Sequence, residues 1–432
     1  MKTRLTAIFL SLTLLAFAPV LAACGEKEDG DQSVLPGGDR SAQEVFGENE
    51  SKDQEEGNNM IFWDEQPSSQ PVGEGEFTPV AEIDGEYVKE RENGMVYVNV
   101  LAPQFAVSGI EHPSENGGEY YRLDASAKGT YSAANASLAV CTAGAQVRFR
   151  TDAAKIVIRI TLRNPILNMH HFADRGVYGI DLYTGTGTDR DYLGAAMQTF
   201  ADSTTYNEQT VTLPGRIQEI TVNLPLYSGV SELVIGFPEN AGVALPADRA
   251  TDAPIAFYGS SITQGGCVSR PGNMYSHILC RALNADCLNL GFSGSALGEQ
   301  SVAEYLAGRD ISAFVMDYDY NSESAQTLRD THYPFYKTVR EAHPDIPIIF
   351  VTHPYYTEPT SGDIARINVI RDTYERAMSE GDKNVYFVDS ETFFPTEMRD
   401  LYAVDLLHPN DLGHFMMAKA IYPVLKNALF GN

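Results

Sequence analysis

Three residues of this chain have the types and surroundings that acyl transfer requires: a serine, a histidine and an aspartate. Ser261 follows a short apolar run, Ile255-Ala256-Phe257-Tyr258, that stops at Gly259, and Gly265 and Gly266 keep the turn beyond it open. The run has no helical period, so it reads as a buried strand with a hydroxyl at its carboxyl end, the edge of an open α/β sheet where ligands bind. Asp405 precedes His408 by three residues; Pro409 restricts His408 to an extended backbone, and Asn410 is a good N-cap for a helix through Phe415, Met416, Ala418 and Ile421. The pair therefore sits on a loop, where the carboxylate can bond one ring nitrogen and leave the other to take a serine proton.

Two further stretches offer donors for a developing oxyanion. In Asn289-Leu290-Gly291-Phe292-Ser293-Gly294-Ser295 the glycines let the backbone turn sharply and aim an N–H into a site, and Met316-Asp317-Tyr318-Asp319-Tyr320-Asn321 ends in a side-chain amide. Each residue also has a plainer reading. A serine in a Ser/Thr-rich turn is often only a turn residue. An isolated Asp-x-x-His is by default a surface charge beside a helix start, and as metal ligands Asp405 and His408 lack a third group of matching type in the sequence around them. Asp317 and Asp319 fit either a carboxylate dyad of the glycosidase kind or a plain strand end. His353, in Val351-Thr352-His353-Pro354, falls on the reactive edge and is a candidate for lining the pocket, while His414 reads as structural. His170 and His171 read first as part of a polar surface loop, with a reach across to the site as the other possibility.

The elements that must position these groups follow from patterning. Apolar runs at residues 255 to 258, 287 to 290, 313 to 316, 346 to 351 and 385 to 388 alternate with helix-like segments, among them residues 363 to 378 with Ile367, Ile370, Tyr374 and Met378 at spacings of three and four. Five strands alternating with helices predict a doubly wound, largely parallel sheet. Before it, from about Thr78 to Pro246, short runs of period two separated by Gly, Pro, Asn and Asp predict a β-sandwich without helices; in the clearest, Ile156, Ile158, Ile160 and Leu162 share one face.

Gly259-Ser260-Ser261-Ile262-Thr263, Gly294, Asn321 and Asp405-Leu406-Leu407-His408 fall in the order and spacing of the four blocks of the SGNH, or GDSL-like, hydrolases, which the chain resembles. The resemblance is to the bacterial branch with an N-terminal β-sandwich marked by Gly-x-Asp-Leu-Tyr, here Gly179-Ile180-Asp181-Leu182-Tyr183. It implies a flavodoxin-like three-layer α/β/α hydrolase domain over residues 252 to 432 and a jelly-roll-like β-sandwich over residues 73 to 247. It also implies Ser261 as nucleophile, His408 as general base and acid, and Asp405 as its orienting partner. The oxyanion hole it implies is the backbone N–H of Ser261, the backbone N–H of Gly294 and the side chain of Asn321, with no metal or other cofactor. Ser260 stands where the family usually has an Asp, and the block around Asn321 is matched only in part.

The other end of the chain speaks of location. Lys2 and Arg4 precede an apolar run from Leu5 to Leu21 that has the form of a secretory signal over residues 1 to 23. It ends in Leu21-Ala22-Ala23-Cys24, which resembles the lipobox of bacterial lipoproteins and implies lipidation of Cys24, the alternative being cleavage without it. Residues 24 to 72, acidic and poor in large apolar side chains, are then a flexible tether, with an apolar patch at Met60 to Trp63 able to dock on the body. The net charge of -27 argues against nucleic acid as a partner. Cys141, Cys267, Cys280 and Cys287 contain no Cys-x-x-Cys pair and read as buried free thiols rather than disulfides or a zinc site. Together these features predict a lipid-anchored esterase of the bacterial cell envelope acting on O-acyl, in the first place O-acetyl, esters of carbohydrate. Its rivals are an acyltransferase with the same triad and a catalytically relict carbohydrate-binding surface protein.

Overall fold

The structure, a computed structural model, describes residues 76–163, 169–196 and 206–431. The signal, Cys24, the tether and Trp63 lie outside the described residues. Among the described residues no helix is long and apolar enough to cross a membrane.

Two antiparallel sheets form the first part. The strands, in chain order, are β1 (Thr78–Pro79), β2 (Val88–Glu92), β3 (Met95–Asn99), β4 (Ala106–Ser108), β5 (Gln146–Thr151) and β6 (Lys155–Arg163). They continue with β7 (Ile180–Thr186), β8 (Asp189–Ala196), β9 (Tyr206–Thr212), β10 (Gln218–Asn223), β11 (Gly229–Pro238) and β12 (Gly242–Ala244). One sheet runs β1-β12-β5-β10-β7-β8, with β4 also on β5; the other runs β2-β3-β11-β6-β9. Ile156, Ile158, Ile160 and Leu162 of β6 are all buried, as their period of two requires. They pack with Val98, Phe149, Ile220, Val222 and Ile235 in a single core. Phe149 sits edge-on between Phe105 and Phe237 at 5.2 and 5.6 Å, an arrangement the ring quadrupoles favour. Contrary to the expectation of a region without helices, two short ones interrupt the strands: α1 (Ala133–Leu138), capped by the Ser132 side chain on the Asn135 N–H, and α2 (Asp174–Tyr178). Both are too short to show a helical hydrophobic period.

The second part is a five-stranded parallel sheet of β13 (Ile255–Gly259), β14 (Cys287–Gly291), β15 (Ala313–Asp317), β16 (Ile348–Val351) and β17 (Val385–Val388). Its order, β14-β13-β15-β16-β17, is the flavodoxin-like 2-1-3-4-5 arrangement. The connecting helices are α3 (Ser261–Gln264), α4 (Tyr275–Leu283), α5 (Gln300–Ala307), α6 (Ala325–Ala342), α7 (Ser361–Ser379) and α8 (Asp411–Phe430). Alternate residues of each strand feed opposite layers. Phe257, Val315 and Ile349 pack with Leu279 of α4 and Ile421 of α8, whereas Tyr258, Met316 and Phe350 pack with Leu306 of α5, Phe335 of α6 and Ile370 of α7. The fold is thus a three-layer α/β/α domain behind a β-sandwich, as the patterning predicts. In α7 the buried stripe runs through Ile367, Ile370, Thr373 and Ala377, and Met378 is exposed, because the face turns onto Ala377 in the last turn.

Candidate active site

The turn after β13 is built around a position that admits no side chain. A Cβ on Gly259 would lie 2.0 Å from Thr263 Oγ1 and 2.1 Å from the Asp317 carbonyl oxygen, so the backbone approaches β15 as only glycine permits. Ser260 is the N-cap of α3: its hydroxyl accepts from the Ile262 N–H at 3.2 Å. Ser261 opens the helix, and Gly265, at φ 96°, closes it after one turn. The Thr263 hydroxyl and the Tyr275 hydroxyl both donate to Asp317 Oδ2 at 3.0 Å, tying the turn to the end of β15. Burial and the neighbouring Asp319 push the Asp317 carboxyl well above the usual carboxylate range, against the pull of those two hydrogen bonds.

Across from this turn, residues 403 to 409 form a small loop closed by a bridge between Ala403 and Pro409. Asp405 organises it. Its Oδ1 accepts from the backbone N–H groups of Leu407 and His408 at 2.7 and 2.6 Å, and its Oδ2 faces His408 Nδ1 at 3.0 Å. Burial alone would raise the Asp405 pKa, but the hydrogen bonds from the His408 ring and from these two N–H groups outweigh it and hold the carboxyl below its ordinary value. An ionised carboxylate only accepts, so Nδ1 carries the proton and Nε2 is left with a free lone pair. That nitrogen lies 3.0 Å from Ser261 Oγ. Asn410 caps α8 by accepting from the Gly413 N–H, as the sequence predicts.

The strand carrying Ser261 lies between the strands that lead to Gly294 and Asn321. Gly294 is in the left-handed region, at φ 68°. Asn321 sits in a short turn, Asp319–Asn321, immediately beyond β15, with its Oδ1 buried and unpartnered. Gln264 fixes the loop before Gly294: its side-chain oxygen accepts from the Ser293 N–H at 3.0 Å. The structure thus gathers Ser261, Gly294, Asn321, Asp405 and His408 on one edge of the sheet.

The remaining candidates fall differently. His353 is buried, with Nδ1 2.5 Å from Asp319 Oδ2 and Nε2 3.4 Å from Asp363 Oδ1. Burial disfavours its charge, yet Asp319 and Asp363 raise its pKa overall. No hydrogen bond joins it to Ser261, Asp405 or His408 among the described residues. Asp317 and Asp319 serve different partners, respectively the turn that carries Ser261 and the His353 ring, so they are not a facing dyad. His171 is exposed, as a surface loop requires, and it also reaches across to the site: its ring centre lies 5.4 Å from that of His408, and Phe172 beside it is 5.5 Å from the same ring, edge-on. His414 is buried between the Gly266 carbonyl and the Tyr275 N–H. All four described cysteines are free and buried.

The sandwich supplies more of this site than patterning revealed. Tyr227 donates to the Ser261 carbonyl at 3.1 Å, and the Leu226 carbonyl accepts from the Gln264 side chain. Asp181, the acidic residue of Gly-x-Asp-Leu-Tyr, is fully buried and accepts from Arg270 at 2.6 Å, the Gly272 N–H at 2.9 Å and Asn223 at 2.7 Å. Arg270 also donates to the Tyr183 hydroxyl. Arg122 is fully buried, with no acidic partner among the described residues; it donates to the carbonyls of Asn289 and Gly291 of β14 and of Leu138. Burial pulls its pKa down to about 10. The five-residue motif was the signal for Asp181; nothing in the local sequence marks Arg122 or Tyr227.

The carboxyl edge of this parallel sheet thus carries a serine, a histidine and an aspartate bonded in series. Residues 252–426 match the GDSL-like lipase/acylhydrolase family, and residues 95–243 match the N-terminus of the SGNH-hydrolase-type esterases. The chain belongs to this family, and it is an esterase acting on acyl esters. It is similar to a GDSL-like lipase from Bacteroides ovatus at 27% identity, over 78% of this chain and 98% of that one, with a TM-score of 0.69. A salicylyl-acyltransferase from a tetracycline biosynthetic pathway shares the fold at 16% identity and a TM-score of 0.65, over 79% of this chain and 99% of that one. So does a family two carbohydrate esterase from Clostridium thermocellum, solved with cellohexaose, at 15% identity and a TM-score of 0.51, over 67% and 94% of the two chains. No protein of curated function matches the chain.

Proposed function

We propose that Ser261, His408 and Asp405 are the catalytic triad of an esterase that removes O-acyl groups, in the first place O-acetyl groups, from carbohydrate. The observation that carries the reading is the chain of contacts from Ser261 Oγ to His408 Nε2 to Asp405, 3.0 Å at each step. His408 takes the hydroxyl proton as Ser261 Oγ bonds to the ester carbonyl carbon, whose oxygen gains the negative charge. In this reading the N–H groups of Ser261 and Gly294 and the Asn321 amide are the donors that stabilise that charge. The C–O bond to the sugar then breaks, the sugar oxygen takes the proton from His408, and water repeats the sequence on the acyl-serine to release the acid. The chain's likeness to carbohydrate esterases in fold supports a glycan as the alcohol part. Ser261→Ala is expected to abolish release of the alcohol from an aryl acetate and of acetate from acetylated xylan; full residual activity on both would refute the assignment.

Residues 1 to 24 support export and lipidation at Cys24, which would hold the enzyme on the cell envelope. Cys24→Ser is expected to move the protein from the membrane fraction to the soluble fraction, and an unchanged distribution would count against the anchor.

A further inference from the structure

The wall of the site beside His408 combines groups that the ester chemistry does not use. His171, Cys267 and His408 each present a ligand atom, and the three atoms lie within 4.8 Å of one another. They come from a loop of the sandwich, from the segment after α3 and from the loop before α8, so the fold supplies the third group that the surroundings of Asp405 and His408 lack in sequence. Cys267 has a second peculiarity. Its backbone is left-handed, at φ 69°, a conformation that a non-glycine residue adopts at a cost and that holds its side chain in this corner. It is buried and engaged in no disulfide.

We propose that His171, Cys267 and His408 form a three-ligand site for a borderline-soft divalent cation such as Zn²⁺, and that its occupation reversibly switches the esterase off. Two imidazoles and a thiolate are the donor set such ions prefer, with water completing a tetrahedron. Bond lengths of about 2.0 Å to nitrogen and 2.3 Å to sulfur require ligand atoms about 3.3–3.6 Å apart, so the group must close by roughly 1 Å at its widest. His171, exposed on its loop, is the member free to make that movement. On binding, the ion exchanges three of its waters for the two nitrogens and the sulfur, and the Cys267 thiol proton passes to solvent. Either nitrogen of His408 that the metal takes is one the reaction needs: Nε2 faces Ser261 and Nδ1 faces Asp405. Inhibition therefore rests on the triad reading, whereas metal binding does not.

The test uses the full-length protein, Zn²⁺ and Co²⁺ alone, and two readouts. Hydrolysis of an aryl acetate should fall with added Zn²⁺ and recover with chelator. In Cys267→Gly, chosen because glycine suits the left-handed backbone, and in His171→Asn, the Zn²⁺ concentration for half-inhibition, relative to each variant's own metal-free rate, should rise by about tenfold or more. Separately, Co²⁺ should give a thiolate-to-metal charge-transfer absorbance in the parent and in Ser261→Ala, and none in Cys267→Gly. Absence of that band in the parent, or equal Zn²⁺ sensitivity in Cys267→Gly and the parent, overturns the proposal. Persistence of the band in a Ser261→Ala protein that still hydrolyses ester would overturn the triad and leave the metal site standing.

Discussion

Asp405 is the most solvent-accessible member of the proposed triad, with 41% of its side chain exposed against 9% for His408. Its hold on the imidazole thus depends on the two backbone N–H groups that fix its other oxygen as much as on burial. Asp405→Asn keeps an acceptor for those N–H groups but presents an amide that can donate to Nδ1, favouring the wrong tautomer of His408. The expected result is a fall in kcat on the order of 10³-fold with little change in KM, read by steady-state hydrolysis of an aryl acetate. A fall of less than about tenfold would mean that His408 is oriented by the loop backbone alone. At this scale the sequence was most informative where Pro409 and Asn410 restrict the backbone around His408. It was least so for His171, whose approach to His408 is decided by how a sandwich loop lies over another domain.

The element that carries Ser261, the proposed nucleophile, is one helical turn long, so its cap counts for more than in a long helix. Ser260 stands at the position where an Asp is usual, and both side chains accept a hydrogen bond at an N-cap. Ser260→Asp is accordingly expected to leave stability and activity near the parent values. Ser260→Ala should lower the unfolding free energy by about 1 kcal/mol and reduce activity, measured by denaturant unfolding and kinetics side by side. If alanine and aspartate behave alike, the cap is not what the position contributes. Regular elements were legible because burial leaves a pattern: a period of two in β6, and an unbroken apolar run in β13, which is buried at every residue. The short helices α1 and α2 were not, since one turn is too brief for a period, and Met378 was misplaced for a related reason: at a helix end either of two neighbouring faces satisfies the spacing.

For the whole molecule, acid stability is governed by histidines buried as neutral rings. Burial lowers the pKa of His277 and His414 to about 4 and of His332 to about 3. A lowered histidine pKa means that the unfolded chain binds protons the folded one refuses. The stabilisation is complete above the ordinary value of 6.5 and is lost as pH falls toward the folded values. Asp317, whose pKa is raised by burial and by Asp319, acts in the opposite sense and offsets part of this dependence. The thermal midpoint should therefore drop steadily between about pH 6.5 and about pH 4. A midpoint flat across that range would contradict the assignment of neutral rings. The division into a sandwich and an α/β domain was readable from the change of pattern near Pro246, but the contacts between them were not, because Arg122, Tyr227 and Asp181 meet partners distant in sequence.

The buried guanidinium of Arg122 has a bearing on how the protein is made. The chain emerges from the ribosome N-terminus first, so Arg122 is synthesised well before the carbonyls of Asn289 and Gly291 that will receive it. Until β14 arrives, that charge keeps its water, and the segment around it, whose Tyr121 and Leu123 pack with Leu290 and Phe292, cannot take its final place. Docking of this segment thus waits on the α/β domain, and a chain released early, with its first part alone, would carry an open, hydrated patch that cellular proteases can find.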